Sequence, residues 1–240
     1  MSEIRAVVFD MAGTTVVDNG EVTECFLKAA EETGLNTSRE KILAMMGQSK
    51  RHVFETLWAE QFSGDSSNRS SKVETSYGVF RSFLEEHYQT QPVQPTEGCV
   101  KTFQWLRNHK IAICLTTGFY RKVTNIILER LGWDIGLDEN YVGTESSKIQ
   151  VSVCSDDVQH GRPSPDMINL CMNHLGIVNA QAVVKIGDTP VDLQAGKNAN
   201  CLLSLGVTNG THTERQLAAF PNDGLLSSLN ELPPLLESYI

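Results

Sequence analysis

The sequence predicts an α/β fold: a Rossmann-like, doubly wound parallel sheet with an α-helical cap inserted after its first strand. Three observations carry that prediction. The short run Ile4-Arg5-Ala6-Val7-Val8-Phe9 is apolar and rich in β-branched residues, and it ends in Asp10, the texture of a strand buried on both faces. From Glu21 to about Thr90 apolar residues recur at helical spacing instead. After Pro95 short apolar runs alternate with helical segments, as right-handed βαβ units require. The core is therefore expected at 1–15 and 96–240 and the cap at 16–95, which accommodates 240 residues given roughly 150 per domain.

Each element has a local cause. In the first cap helix Val22, Cys25, Phe26, Ala29 and Ala30 share a face, Gly34 closes it, and Thr37-Ser38 can cap the next. The polar stretch from Gly64 to Ser71 reads as a surface loop, and Gln91-Pro92-Val93-Gln94-Pro95 as the return linker. Helices are expected at 98–108, 121–131, 165–175 and 191–199, alternating with strands at 111–115, 151–154, 182–186 and 201–205. The segment 136–152 is longer than a simple connection and reads as an extra hairpin.

Composition narrows the function. Hydrophobic residues make up 40% and charged residues 20%, as in ordinary globular proteins. Twenty basic against 29 acidic residues leave a net charge of −9, which argues against nucleic acid as a partner. No apolar run approaches the roughly 20 residues of a membrane span, and Met1-Ser2-Glu3-Ile4-Arg5 lacks an apolar leader, so no membrane association and a cytoplasmic location are expected. The six cysteines are scattered without a C-x-x-C pair and read as buried free thiols.

Doubly wound sheets bind ligands beyond the carboxyl ends of their strands. There the chain places Asp10-Met11-Ala12-Gly13-Thr14-Thr15, Thr116-Thr117-Gly118, Gly161-Arg162-Pro163 and Gly187-Asp188-Thr189-Pro190-Val191-Asp192. Carboxylates, hydroxyls beside an open backbone and one cation suit phosphoryl transfer. Asp10 and Asp188 could share one Mg²⁺, which takes carboxylate and phosphate oxygens. Thr116 or Thr117 with the N–H groups near Gly118 can receive phosphate oxygens, Arg162 can screen the nucleophile or the phosphate, and Asp10 can attack phosphorus.

Taken in order, these four motifs resemble those of the haloacid dehalogenase-like hydrolases, and the insertion resembles their helical cap. The resemblance implies Asp10 as nucleophile, a metal site of Asp10, the Ala12 carbonyl, Asp188 and Asp192, and phosphate binding by Gly13, Thr14, Thr116, Thr117, Gly118 and Arg162. Where typical phosphatases of that family carry a second Asp, this chain has Ala12, which has no proton to give; such help is worth roughly 10²–10⁴-fold. Arg162 stands where a Lys is usual. Both departures resemble the phosphonatases, which act on the carbon–phosphorus bond of phosphonoacetaldehyde through a cap lysine in Met-Gly-x-x-Lys. Met46-Gly47-Gln48-Ser49-Lys50 makes Lys50 the matching Schiff-base residue.

Other features leave the organic half of the substrate open. Lys50 could instead begin a cap helix as a solvated charge. His52 lies two residues after Lys50 rather than three, Met11 replaces an aromatic residue, and Phe119 replaces a Tyr. Asp156-Asp157 and Arg121 read mainly as turn and surface groups, and Lys185 as a strand lysine snorkelling to the edge. The alternatives are a phosphatase for a small phosphate monoester and a non-catalytic phosphate-ligand binding protein. By resemblance, a homodimer through the cap is expected.

Overall fold

A computed structural model describes residues 4–62 and 66–239, with only the backbone of 66 and 67. Its sheet has six parallel strands in the order β3-β2-β1-β4-β5-β6. These are β1 (Ala6–Asp10), β2 (Ala112–Thr117), β3 (Val151–Cys154), β4 (Val183–Gly187), β5 (Leu203–Val207) and β6 (Gly224–Leu226). The order reverses between β1 and β4, so the crevice of a doubly wound sheet falls beside Asp10 and the residues after Gly187. Every residue of β1 is buried: Val7 and Phe9 join one hydrophobic cluster, Ala6 and Val8 the cluster on the opposite face.

Helices cover both faces: α5 (Cys99–Asn108), α6 (Arg121–Leu131), α7 (Asp166–His174), α8 (Pro190–Asn198), and the short α9 (Glu214–Leu217) and α10 (Leu232–Leu236). Four helices form the insertion: α1 (Glu21–Thr33), α2 (Arg39–Ala44), α3 (Lys50–Gln61) and α4 (Ser66–Thr90). Gly34 caps α1 in the left-handed conformation and the Ser38 hydroxyl accepts from Lys41 N at the start of α2. Phe26, Phe54 and Phe80 hold the insertion together, with ring centroids 4.3 to 5.7 Å apart. Trp58 Nε1 donates to the buried Ser76 hydroxyl at 2.9 Å. The two linkers run side by side, Val17 N–H donating to the Gln94 carbonyl at 2.9 Å.

The structure moves several boundaries. Each of β1, β2, β4 and β5 lies one or two residues later than its apolar run, because the ladder continues into polar ends: Asp10 pairs with Thr116 and Gly187 with Gly206. The surface loop read into 64–71 is a correction: from Ser66 onward that stretch is the first two turns of α4, while Gly64 and Asp65 lie outside the described residues. Its polar composition hid a helix whose continuation buries Val73, Phe80, Leu84 and Tyr88. In 136–152 the hairpin is reduced to one antiparallel bridge, Val142 with Val151. All six cysteines are buried and unpaired, and among the described residues no helix is long and apolar enough to cross a membrane.

Candidate active site

Asp10 ends β1, Asp188 follows β4, and Asp192 lies in the first turn of α8; one carboxylate oxygen from each falls within 4.8 Å of the others. All three are buried, which disfavours their charged forms, yet their surroundings differ. Burial would raise Asp192, but Arg162 and Lys185 hold it down at about 2; it pairs with Arg162, and Lys185 Nζ lies 2.8 Å from its Oδ1. Burial raises Asp10, opposed by Arg162, whose guanidinium lies 2.7 Å from Asp10 Oδ1. Among the described residues Asp188 has only neutral donors: Thr14 Oγ1 at 3.2 Å and Thr211 N–H at 2.7 Å. Burial and then the neighbouring Asp10 and Asp192 push it up to about 8. A buried carboxylate beside two others and without a cationic partner fits a divalent cation, so the residues suit the metal that the sequence implied.

Gly13 and Thr14 support Asp188 rather than face the crevice. Gly13 has φ +84°, and a side chain there would run into the Asp188 carboxylate. Thr116 also turns away, its hydroxyl donating to the Phe9 carbonyl at 3.2 Å. Thr117 and Gly118 do line the crevice, together with Asp10, Ala12, Lys50 and Arg162.

Lys50 is the decisive residue of the cap. It starts α3, as the alternative reading had it, but is not solvated: 6% of it is exposed. Its Nζ lies 5.2 Å from the centroid of Phe119 and 5.9 Å from that of Phe26. Among the described residues it makes no ion pair or hydrogen bond. Burial, followed by the Arg162 charge, lowers its amine to about 8 against the pull of Asp10, Asp18 and Asp188. Below that pH the folded state must hold a poorly solvated ammonium, whereas the unfolded chain keeps it comfortably charged up to about 10.5. Lys50→Met is therefore expected to raise stability by about 3 kcal/mol near neutral pH, with the gain shrinking from pH 8 to 10.5. Denaturant melts across that range, without added divalent cation, check this.

The cap is shut over the site. The crevice encloses only about 20 Å³, room for about one water molecule. The backbone carbonyl of Gln48 rests so close to Gly118 that an added Cβ would meet it at 2.5 Å. Gly118→Ala should thus displace the 46–49 turn with Lys50 behind it and lower kcat/KM by about 10²-fold while the melting temperature barely changes. Steady-state kinetics beside a thermal melt would show this.

The remaining residues separate cleanly. His52 is exposed and faces Glu55 at 3.6 Å. Arg121 reaches no phosphate position; it donates to the Ser152 carbonyl at 3.0 Å and pairs with Asp157, while Asp156 accepts from Arg121 N–H at 2.9 Å. Lys185 does not snorkel: it is fully buried and turned onto Asp192. Sequence reasoning missed Thr211, which follows β5 and was reachable by reading one more strand end, and Asp18, which lines the crevice from the linker.

A family model described as haloacid dehalogenase-like hydrolase matches residues 7–204. The chain belongs to the haloacid dehalogenase-like hydrolases. Among curated relatives, a phosphonoacetaldehyde hydrolase from Latilactobacillus sakei is 27% identical, covering 100% of this chain and 97% of the relative. The structure of a phosphonoacetaldehyde hydrolase-like protein from Oleispira antarctica superposes with a TM-score of 0.79 at 14% identity, covering 99% and 93% of the two chains. A β-phosphoglucomutase from Clostridium difficile gives 0.75 at 18% identity, covering 98% and 97%. Proteins of different stated activity thus share this fold, and the fold alone does not choose a substrate.

Proposed function

We propose that the protein hydrolyses the carbon–phosphorus bond of phosphonoacetaldehyde or a close relative, through an aspartyl phosphate on Asp10 and a Schiff base on Lys50. The observation that carries this reading is the buried, unpaired Lys50 amine, lowered to about 8, lining the same crevice as Asp10. The relatives named phosphonoacetaldehyde hydrolase support it.

Lys50 Nζ attacks the aldehyde carbon, water is lost, and an iminium forms. Asp10 then attacks phosphorus, and the electrons of the breaking P–C bond pass into an enamine rather than a carbanion. That leaving group needs no oxygen protonated as it departs, which accounts for Ala12 at a position that would otherwise hold an acid. Arg162 opposes the rise that burial imposes on Asp10 and so favours its carboxylate, and the Thr117-Gly118 turn offers hydrogen bonds to the phosphoryl oxygens. Asp10 and Asp188, with Asp192 beside them, would hold a Mg²⁺ that neutralises phosphoryl charge. Water cleaves the aspartyl phosphate, and hydrolysis of the imine returns Lys50 and acetaldehyde. Since the closed crevice admits about one water, substrate reaches Asp10 with the cap open, and closure brings Lys50.

Phosphate release from phosphonoacetaldehyde, compared with a panel of small phosphate monoesters, tests the reading. Release confined to the esters would replace it with the phosphatase alternative.

A further inference from the structure

The chemistry proposed for Lys50 needs an acid twice, and Ala12 cannot supply one. The ionisable side chains lining the crevice are Asp10, Asp18, Lys50 and Arg162. Asp10 is paired with Arg162 and attacks phosphorus, Arg162 never gives up its proton, and Lys50 is the amine itself. Only Asp18 is left among the described residues. It stands on the outgoing linker, its Oδ1 accepting from Gly20 N–H at 2.8 Å, and its carboxyl meets that of Glu21 in a hydrogen bond. Glu21 in turn accepts from Asn19 N–H and from Asn19 Nδ2, the latter at 3.2 Å. Glu21 also borders a second cavity of about 250 Å³, lined by the two linkers and the end of α4 and not by Lys50.

We propose that the Asp18–Glu21 carboxyl pair is the acid of this site, passing protons from the linker cavity to the substrate carbon skeleton held on Lys50. The proposal rests on the Schiff-base reading above. In the carbinolamine, the Asp18 proton goes to the hydroxyl oxygen, the C–O bond breaks to release water, and the nitrogen lone pair closes the C=N bond. After P–C cleavage, a second proton goes to the terminal enamine carbon, whose C=C electrons form the new C–H bond and leave an iminium. Each time Asp18 ends as a carboxylate and is reprotonated through Glu21.

The electrostatics agree. Burial first, then the Glu21 hydrogen bond, push Asp18 up to about 6, while the same hydrogen bond, working against burial, lowers Glu21. The shared proton therefore resides on Asp18, the member that faces the crevice. Around the pair stand Lys50 of α3, Cys25 of α1, His87 and Tyr88 of α4, and Asp10 of β1. Burial lifts Cys25 to about 11 and Tyr88 well above its ordinary value, so neither competes as an acid at neutral pH.

Asp18→Asn keeps an acceptor for Gly20 N–H and removes the proton; Glu21→Gln does the same for the outer member. With phosphonoacetaldehyde as substrate, both the rate at which a borohydride-trapped adduct appears on Lys50 and the rate of turnover should fall by about 10²–10⁴-fold in Asp18→Asn. The final extent of trapping should match the parent protein, since an acid changes rates and not the equilibrium. Glu21→Gln should show a smaller loss of the same kind. Unchanged rates in Asp18→Asn, or a final extent lost in step with the rate, would overturn the acid role. No adduct in the parent protein would overturn the Schiff-base reading instead, and this proposal with it.

Discussion

Asp10→Asn is expected to abolish phosphate release, by at least about 10⁴-fold, because an amide oxygen lacks the charge and basicity to form a covalent phosphoryl intermediate. The loss should be chemical rather than structural. Asn is nearly isosteric, and Arg162 keeps its second partner, Asp192. The variant also removes a negative charge that raises Asp188, so Asp188 should titrate lower than about 8. Phosphate release assays beside a thermal melt separate the two: the account expects an intact melt with no turnover.

Lys50→Arg is the second large effect, and it is selective. The guanidinium keeps positive charge near Phe119 and the phosphate but cannot become a neutral amine at any working pH. Carbon–phosphorus cleavage should fall below detection, whereas any basal hydrolysis of small phosphate esters, which uses Asp10, Arg162 and the Thr117-Gly118 turn, should stay within about tenfold of the parent. Equal loss of both activities would mean that Lys50 serves the phosphate and not the aldehyde.

Much of this site was legible because a parallel sheet turns strand order into geometry. Asp10 and Asp188 are 178 positions apart, yet each stands at the carboxyl end of a strand flanking the point where the sheet reverses, and periodicity locates those ends within two residues. What the strand ends could not reveal is which hydroxyl faces inward. Thr116 and Thr117 are neighbours on one strand with opposite faces; the Thr116 hydroxyl is spent on the Phe9 carbonyl while Thr117 lines the crevice, a division that only the tertiary contacts reveal. Lys185 was misread for a related reason. A lysine inside an apolar strand has no local partner, and its ion, Asp192, comes from the next helix. The helical start of α4 was hidden because Ser and Asn signal turns locally, while the apolar face that fixes the helix begins at Val73.

The burial of Lys50 was likewise invisible in sequence, since a residue opening a helix is usually solvated. It arises from closure: the 46–49 turn packs on Gly118, carrying Lys50 under Phe119. The central claim is that this amine forms a covalent adduct with the substrate. Borohydride reduction in the presence of phosphonoacetaldehyde, followed by peptide mapping by mass spectrometry, tests it most directly. The account predicts irreversible inactivation with the reduced adduct on Lys50, and no label in Lys50→Arg; full activity after reduction, with Lys50 unmodified, would contradict it.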